Sequence, residues 1–190
     1  DLDNTLIDYS DAFIYGAQEL DLVPDDWTGH KLELRHFICI SQGGEQNWQQ
    51  LQGKVYGKWI HKAKLFQGAY RFLWRCHQRG WITLVASHKT EYGHYDSDRT
   101  PLREVAKKFL KSCNIFESGN SSLIKELIFD DTRSDKLQTI KELQCDIFVD
   151  DLKEVLEDPE FPSQTRRILF DPGDQHKSSQ LERVCSWEDI

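Results

Sequence analysis

From Gly68 onward, apolar residues recur first at helical spacing and then in short unbroken runs, and the two patterns alternate along the chain. Ala69, Phe72, Leu73 and Cys76 share one helical face, Gly80 stops that helix, and residues 81–86 follow as a β-rich run ending at Ser87. Thr100 and Pro101 read as the N-cap and first residue of a helix whose inner face is Leu102, Val105, Ala106, Phe109 and Leu110. A short strand is predicted over 127–129. Ser134 is placed to cap the next helix, with Leu137, Ile140 and Leu143 facing inward, before Ile147, Phe148 and Val149 stop abruptly at Asp150 and Asp151. Residues 168–170 and 184–187 are the last strands, with a turn at Asp171, Pro172 and Gly173. Helix and strand taking turns in this way is the signature of a parallel sheet covered by helices.

Residues 10–67 break the alternation. Phe13, Ile14, Ala17 and Leu20 share a helical face, a long polar-aromatic helix is predicted over 47–64, and Gly43 and Gly44 separate the helices. No strand pattern stands out here. The segment reads as a helical insertion, which gives a core of residues 1–9 and 68–190 and a small all-helical unit at 10–67.

Composition narrows the function classes. A chain of 190 residues with 38% hydrophobic content supports one well-packed domain with a small accessory lobe. The formal net charge of −8 repels polyanions, which argues against nucleic acid or an anionic membrane surface as a partner. A small anion remains admissible where local cations or a metal compensate. The five cysteines, Cys39, Cys76, Cys113, Cys145 and Cys185, are scattered and never form a CxxC pair, so neither a disulfide framework nor a zinc site is expected, and a reducing cytoplasm is the simplest setting. No run approaches the ~20 apolar residues of a membrane helix. The sequence opens at Asp1 without a methionine and without an apolar run before it, the pattern expected of a truncated chain.

Ligands of open parallel sheets bind beyond the carboxyl ends of the strands, so polar residues that follow apolar runs carry the interest. These are Ser87, the pair Asp150 and Asp151, and Asp1 with Asp3 at the start. Lys136 adds a cation in the first turn of a helix, where backbone N–H groups also favour an anion. Taken in order, Asp1-Leu2-Asp3-Asn4-Thr5, Ser87, Lys136 and Asp150-Asp151 resemble the four motifs of the haloacid dehalogenase-like hydrolase superfamily, over roughly two-thirds of the chain. The resemblance implies an α/β, Rossmann-like core with strand order 5-4-1-2-3, a helical cap inserted after the first motif, and a phosphatase acting on a small phosphorylated metabolite.

What the resemblance implies for each residue has a chemical reason. A carboxylate attacking a phosphate dianion meets a repulsion of roughly 4 kcal/mol per charge pair at ~4 Å in a partly screened site. A Mg²⁺ held by the carboxylates of Asp1 and Asp150 and the backbone carbonyl of Asp3, with Asp151 as a direct or outer ligand, offsets it. Asp1 is the nucleophile. Asp3 hands a proton to the leaving alkoxide and then serves as base toward the water that cleaves the aspartyl phosphate. Ser87 and Lys136 hold the phosphoryl oxygens, and Thr5 keeps the first-motif aspartates in register. His88 and Lys89 flank Ser87; His88 joins Thr5, Ser87 and Lys136 as a substrate-binding candidate, although exposed loop positions are the plainer reading for both.

Blander readings are weighed against these. Asp1 to Thr5 is not a calcium loop, since Leu6 stands where a glycine is needed and Ala12 where the closing glutamate would be. Asp130 and Asp131 also follow an apolar run, but they precede Lys136 and break the motif order. The seven histidines lack metal-ligand spacing. Trp48, Tyr56 and Trp59 read as the apolar face of the inserted helix, and Arg35 and Lys54 as solvated cations. A phosphorelay receiver domain uses similar groups, but there the acidic pair comes first. A phosphomutase or phosphotransferase of the same superfamily, or a catalytically silent binding module, is the remaining rival.

Overall fold

The structure is a computed structural model that describes residues 1–117, 119 and 121–190. In chain order its elements are β1 (Ile7–Asp8), α1 (Ser10–Glu19), α2 (Lys31–Ile40), α3 (Gly44–Tyr56), a 3-10 turn at Ile60–Lys62, β2 (Lys64–Leu65), α4 (Ala69–Gln78), β3 (Leu84–His88), α5 (Leu102–Ser112), β4 (Glu126–Asp130), α6 (Arg133–Leu143), β5 (Ile147–Asp150), α7 (Lys153–Leu156), β6 (Arg166–Phe170) and β7 (Glu182–Val184). Among the described residues, no helix is long and apolar enough to cross a membrane.

The chain divides into two compact units. The first comprises Asp1–Ile7, Leu65–Lys89 and Cys113–Ile190, and the second Asp8–Lys64 and Thr90–Ser112. The sequence pattern assigned 90–112 to the core, yet these residues, with α5, group with the inserted helices. The reason lies in local packing. Leu102, Ala106 and Leu110 of α5 are buried, and Leu102 and Thr100 close on Gly57, where a Cβ would lie 3.2 Å from the Leu102 side chain.

In the first unit, β3 and β4 run parallel with Ser87 opposite Phe129, and β5, β6 and β7 form a second parallel set with Asp150 opposite Leu169. The β3–β4 and β5–β6 pairs are those that the order 5-4-1-2-3 assigns to its second with third and fourth with fifth strands. One core joins the two sets: Ala86 of β3, Leu137 and Ile140 of α6, Phe148 of β5, Val155 and Leu156 of α7, Phe161, and Leu169 of β6. Fully burying such side chains stabilises the fold by about 1.5–3 kcal/mol each. This is an α/β, Rossmann-type core.

Several boundaries move from those the sequence suggested. The strand before Ser87 begins at Leu84, leaving Trp81 and Ile82 exposed ahead of it. The cap of α6 is Thr132, not Ser134: its Oγ1 accepts the Asp135 N–H at 3.1 Å, in the β-region backbone that an N-cap requires. The long helix predicted over 47–64 ends at Tyr56, where Gly57 leaves helical geometry, and a 3-10 turn and β2 follow.

In the second unit, aromatic rings make the core. Phe13 stacks on Trp48 at 5.1 Å, Tyr56 meets Tyr9 and Phe13 edge-on, and Trp59 meets Tyr15. These rings fill space and present no open stacking platform. Gly43, at φ 92°, is the left-handed residue that lets α3 start directly after α2.

Candidate active site

The site is organised around Lys136. Thr132 starts α6, and the Lys136 N–H closes its first turn onto the Thr132 carbonyl at 3.1 Å. With Leu137 and Ile140 committed to the core, the helical phase that buries them also buries Lys136. A buried ammonium is costly unless it is paired. Here its Nζ lies 2.6 Å from Asp150 Oδ2 and 2.8 Å from Asp1 Oδ1.

Asp150 ends β5 and is fully buried, its second oxygen accepting the Leu152 N–H at 2.9 Å. The main-chain nitrogen of Asp1 donates to the Val149 carbonyl of β5 at 2.8 Å.

Thr5 fastens the opening turn to the end of β5. Its buried hydroxyl lies 3.4 Å from Asp1 Oδ2 and 3.3 Å from Asp151 Oδ1, and it accepts the Asp151 N–H at 3.2 Å. The turn is tight because the N–H groups of Leu6 and Ile7 both reach back to the Leu2 carbonyl, with Asn4 at φ 61°. Trp187 holds it from the other end of the chain, donating its indole N–H to the Thr5 carbonyl at 2.9 Å. Nothing in the sequence pattern marked Trp187 for this role.

Carboxylate oxygens of Asp1, Asp150 and Asp151 lie within 4.8 Å of one another. Three hard oxygen donors converging at strand ends suit a divalent cation of the Mg²⁺ class better than a thiophilic metal. The Asp3 carboxylate is outside this group and is held by Lys89, whose Nζ is 2.6 Å away. Lys89 corrects the exposed-loop reading: it is buried, and its backbone N–H donates to the Asp130 carbonyl at 3.0 Å. Ser87 is buried at the end of β3 and His88 beside it is exposed. Neither side chain hydrogen-bonds to the acidic group among the described residues. Lys54, read as solvated, is also buried, 3.4 Å from Asp98 and 3.8 Å from Asp96 in the second unit. Asp130 stays apart from the cluster, one oxygen accepting the Thr139 hydroxyl at 2.9 Å.

No family model matches the chain, and no curated protein matches it by sequence. Among solved structures, a haloacid dehalogenase-like family hydrolase from Streptococcus pneumoniae is similar, with 17% identity, a TM-score of 0.55, and 90% of this chain and 81% of that chain covered. Mycobacterium tuberculosis Protein Tyrosine Kinase A (PtkA) is similar at 15% identity and a TM-score of 0.51, covering 97% of this chain and 80% of its own. One is named a hydrolase and the other a kinase, so the shared feature is the fold, and the chemistry must be argued from the site.

Proposed function

We propose that this chain is a Mg²⁺-dependent phosphohydrolase of the haloacid dehalogenase-like type, acting on a small phosphomonoester through an aspartyl phosphate on Asp1. The observation that carries the reading is the convergence of Asp1, Lys136, Asp150 and Asp151, from three stretches of the sequence, into one set of opposite charges with Lys136 and Asp150 buried and Asp1 and Asp151 half-buried. The likeness to a hydrolase of that fold agrees with it.

Asp1, Asp150 and Asp151 would hold the cation, with the Asp3 backbone carbonyl completing the set. When bound, the cation would neutralise the carboxylates and the phosphate oxygens so that an anion can be attacked by an anion. Asp1 attacks phosphorus through the oxygen not held by Lys136, and the ester oxygen leaves with a proton passed through Asp3 from the Lys89 ammonium 2.6 Å away. Asp3 then takes a proton from the water that opens the aspartyl phosphate. Lys136 fixes the Asp1 carboxylate and places positive charge beside the transferred group, while Ser87 and His88 at the end of β3 contact its oxygens. Thr5 keeps Asp1 and Asp151 in register.

A panel of phosphomonoesters assayed with Mg²⁺ and with EDTA tests the reading. Turnover that needs Mg²⁺ and disappears in Asp1→Asn is expected. Hydrolysis that persists in Asp1→Asn reassigns the nucleophile, and an inert wild-type protein across the panel rejects the assignment.

A further inference from the structure

An open groove of about 530 Å³ lies wholly within the second unit and contains no residue of the acidic cluster. That volume is in the range of small-molecule sites. One wall is α3, which presents Gln46 and Gln50 one turn apart; the other is the loop that carries Tyr92, Tyr95, Ser97 and Arg99.

The loop has a built anchor. Asp96 is buried beneath it, with one oxygen accepting the Asp98 N–H at 3.2 Å, the other the Thr100 N–H at 3.0 Å, and the Lys54 ammonium 3.8 Å away. Backbone also meets backbone at two glycines: a Cβ on Gly93 would fall 2.4 Å from the Gly53 Cα of α3. Tyr95 and Arg99 adopt φ of 54° and 47°, which costs roughly 1–3 kcal/mol for residues of this kind, and both line the groove.

The lining has one charge to offer. Asp96 is committed to Lys54 and to the loop backbone, whereas Arg99 lies over the Tyr92 ring at 4.5 Å and has no carboxylate partner among the described residues. The remaining groups are amides, phenols and a hydroxyl, which bind polar ligands but supply no nucleophile. We propose that this groove binds a small polyhydroxylated organic anion, its carboxylate or phosphate held by Arg99 and its hydroxyls by Gln46, Gln50 and Ser97. A guanidinium grips such an oxyanion through two parallel N–H donors, and the exposed Tyr95 ring offers an apolar face to a sugar-like carbon frame.

Calorimetric titration of the whole chain with glucuronate, glucose 6-phosphate and glucose tests this without any assay of turnover. At least one of the two anions should saturate, glucose should not, and the anion that binds shows whether carboxylate or phosphate is preferred. Arg99→Asn, chosen because asparagine tolerates the left-handed backbone, should weaken binding about tenfold or more, while Arg79→Gln in the first unit should leave it unchanged. Asp1→Asn should retain the binding, which separates this groove from the proposed phosphatase site. The assignment fails if neither anion saturates at millimolar concentration, if Arg99→Asn binds like wild type, or if Asp1→Asn abolishes the binding.

Discussion

Lys89 extends from the end of β3 to set its ammonium 2.6 Å from Asp3 Oδ2, with the lysine side chain 2% and the aspartate side chain 15% accessible. The second aspartate of the opening motif is thus fixed by a residue two positions beyond Ser87. Removing one partner of so enclosed a pair leaves the other charge short of compensation, at about 1–3 kcal/mol. Lys89→Met is expected to lower stability by that amount and to reduce phosphomonoester turnover at least tenfold. Because the two groups act together, Lys89→Met/Asp3→Asn should lose less stability than the sum of the single variants. Urea denaturation of the four proteins measures the coupling, and strict additivity would show that the contact does not matter energetically.

Lys136 stands between two carboxylates of which one, Asp150, has no access to solvent. Breaking a buried pair from one side costs about 3–5 kcal/mol. Lys136→Met is therefore expected to be strongly destabilised in EDTA. If Asp1, Asp150 and Asp151 hold a divalent cation, Mg²⁺ takes over part of the missing compensation, so its addition should raise the Tm of the variant more than that of wild type. Thermal melts with EDTA and with MgCl₂ decide this; equal shifts in both proteins would argue against a cation among these carboxylates.

How much of this was legible in sequence differs from residue to residue. Asp150 and Lys136 stood out only through their order with the other motifs, since an acid pair after a strand is as often a turn and a lysine in a first helical turn is more often solvated. Lys89 did not, since a lysine after a strand usually lies in solvent, and only the fold shows that the strand ends beside Asp3. Lys54 was hidden for the same reason: its partners, Asp96 and Asp98, are far along the chain. The grouping of α5 with the inserted helices was also invisible, because an amphipathic pattern states that a face is buried without saying against what. Trp187 carried no signal, as its role depends on a carbonyl acceptor rather than on a side chain.

Thr132 shows the limit of capping rules, because Thr132 and Ser134 both precede apolar helical positions and only one has the required backbone. Its Oγ1 accepts the Asp135 N–H and donates to the Asp135 carboxylate at 2.7 Å. Thr132→Ala should cost about 1 kcal/mol and Thr132→Ser much less, whereas Ser134→Ala should leave the cap intact. Since α6 carries Lys136, Thr132→Ala should also reduce turnover more than Ser134→Ala. Denaturant melts and initial rates on the three variants test the assignment, and the reverse order of stability would restore Ser134 as the cap.

Asp171 follows β6 and pins the turn that leads to β7, accepting the N–H groups of Gln175 at 3.0 Å and His176 at 2.8 Å and pairing with Arg183 at 3.1 Å. Burial alone would raise this carboxyl. The backbone N–H groups of Gln175 and His176, and then the His176 and Arg183 side chains, outweigh burial and hold it below its ordinary 3.8. The folded value is the lower one, so the charge contributes its full stabilisation above 3.8 and loses it as pH falls through the folded value. Asp171→Asn removes that ionisation while keeping the shape. At neutral pH it should be less stable than wild type by about 1–3 kcal/mol. The gap should hold constant down to about pH 5 and then shrink as pH falls below 3.8, as wild type loses the charge that the variant never had. Urea melts of both proteins across that range measure it, and a gap independent of pH would show that the hydrogen bonds need no charge on Asp171.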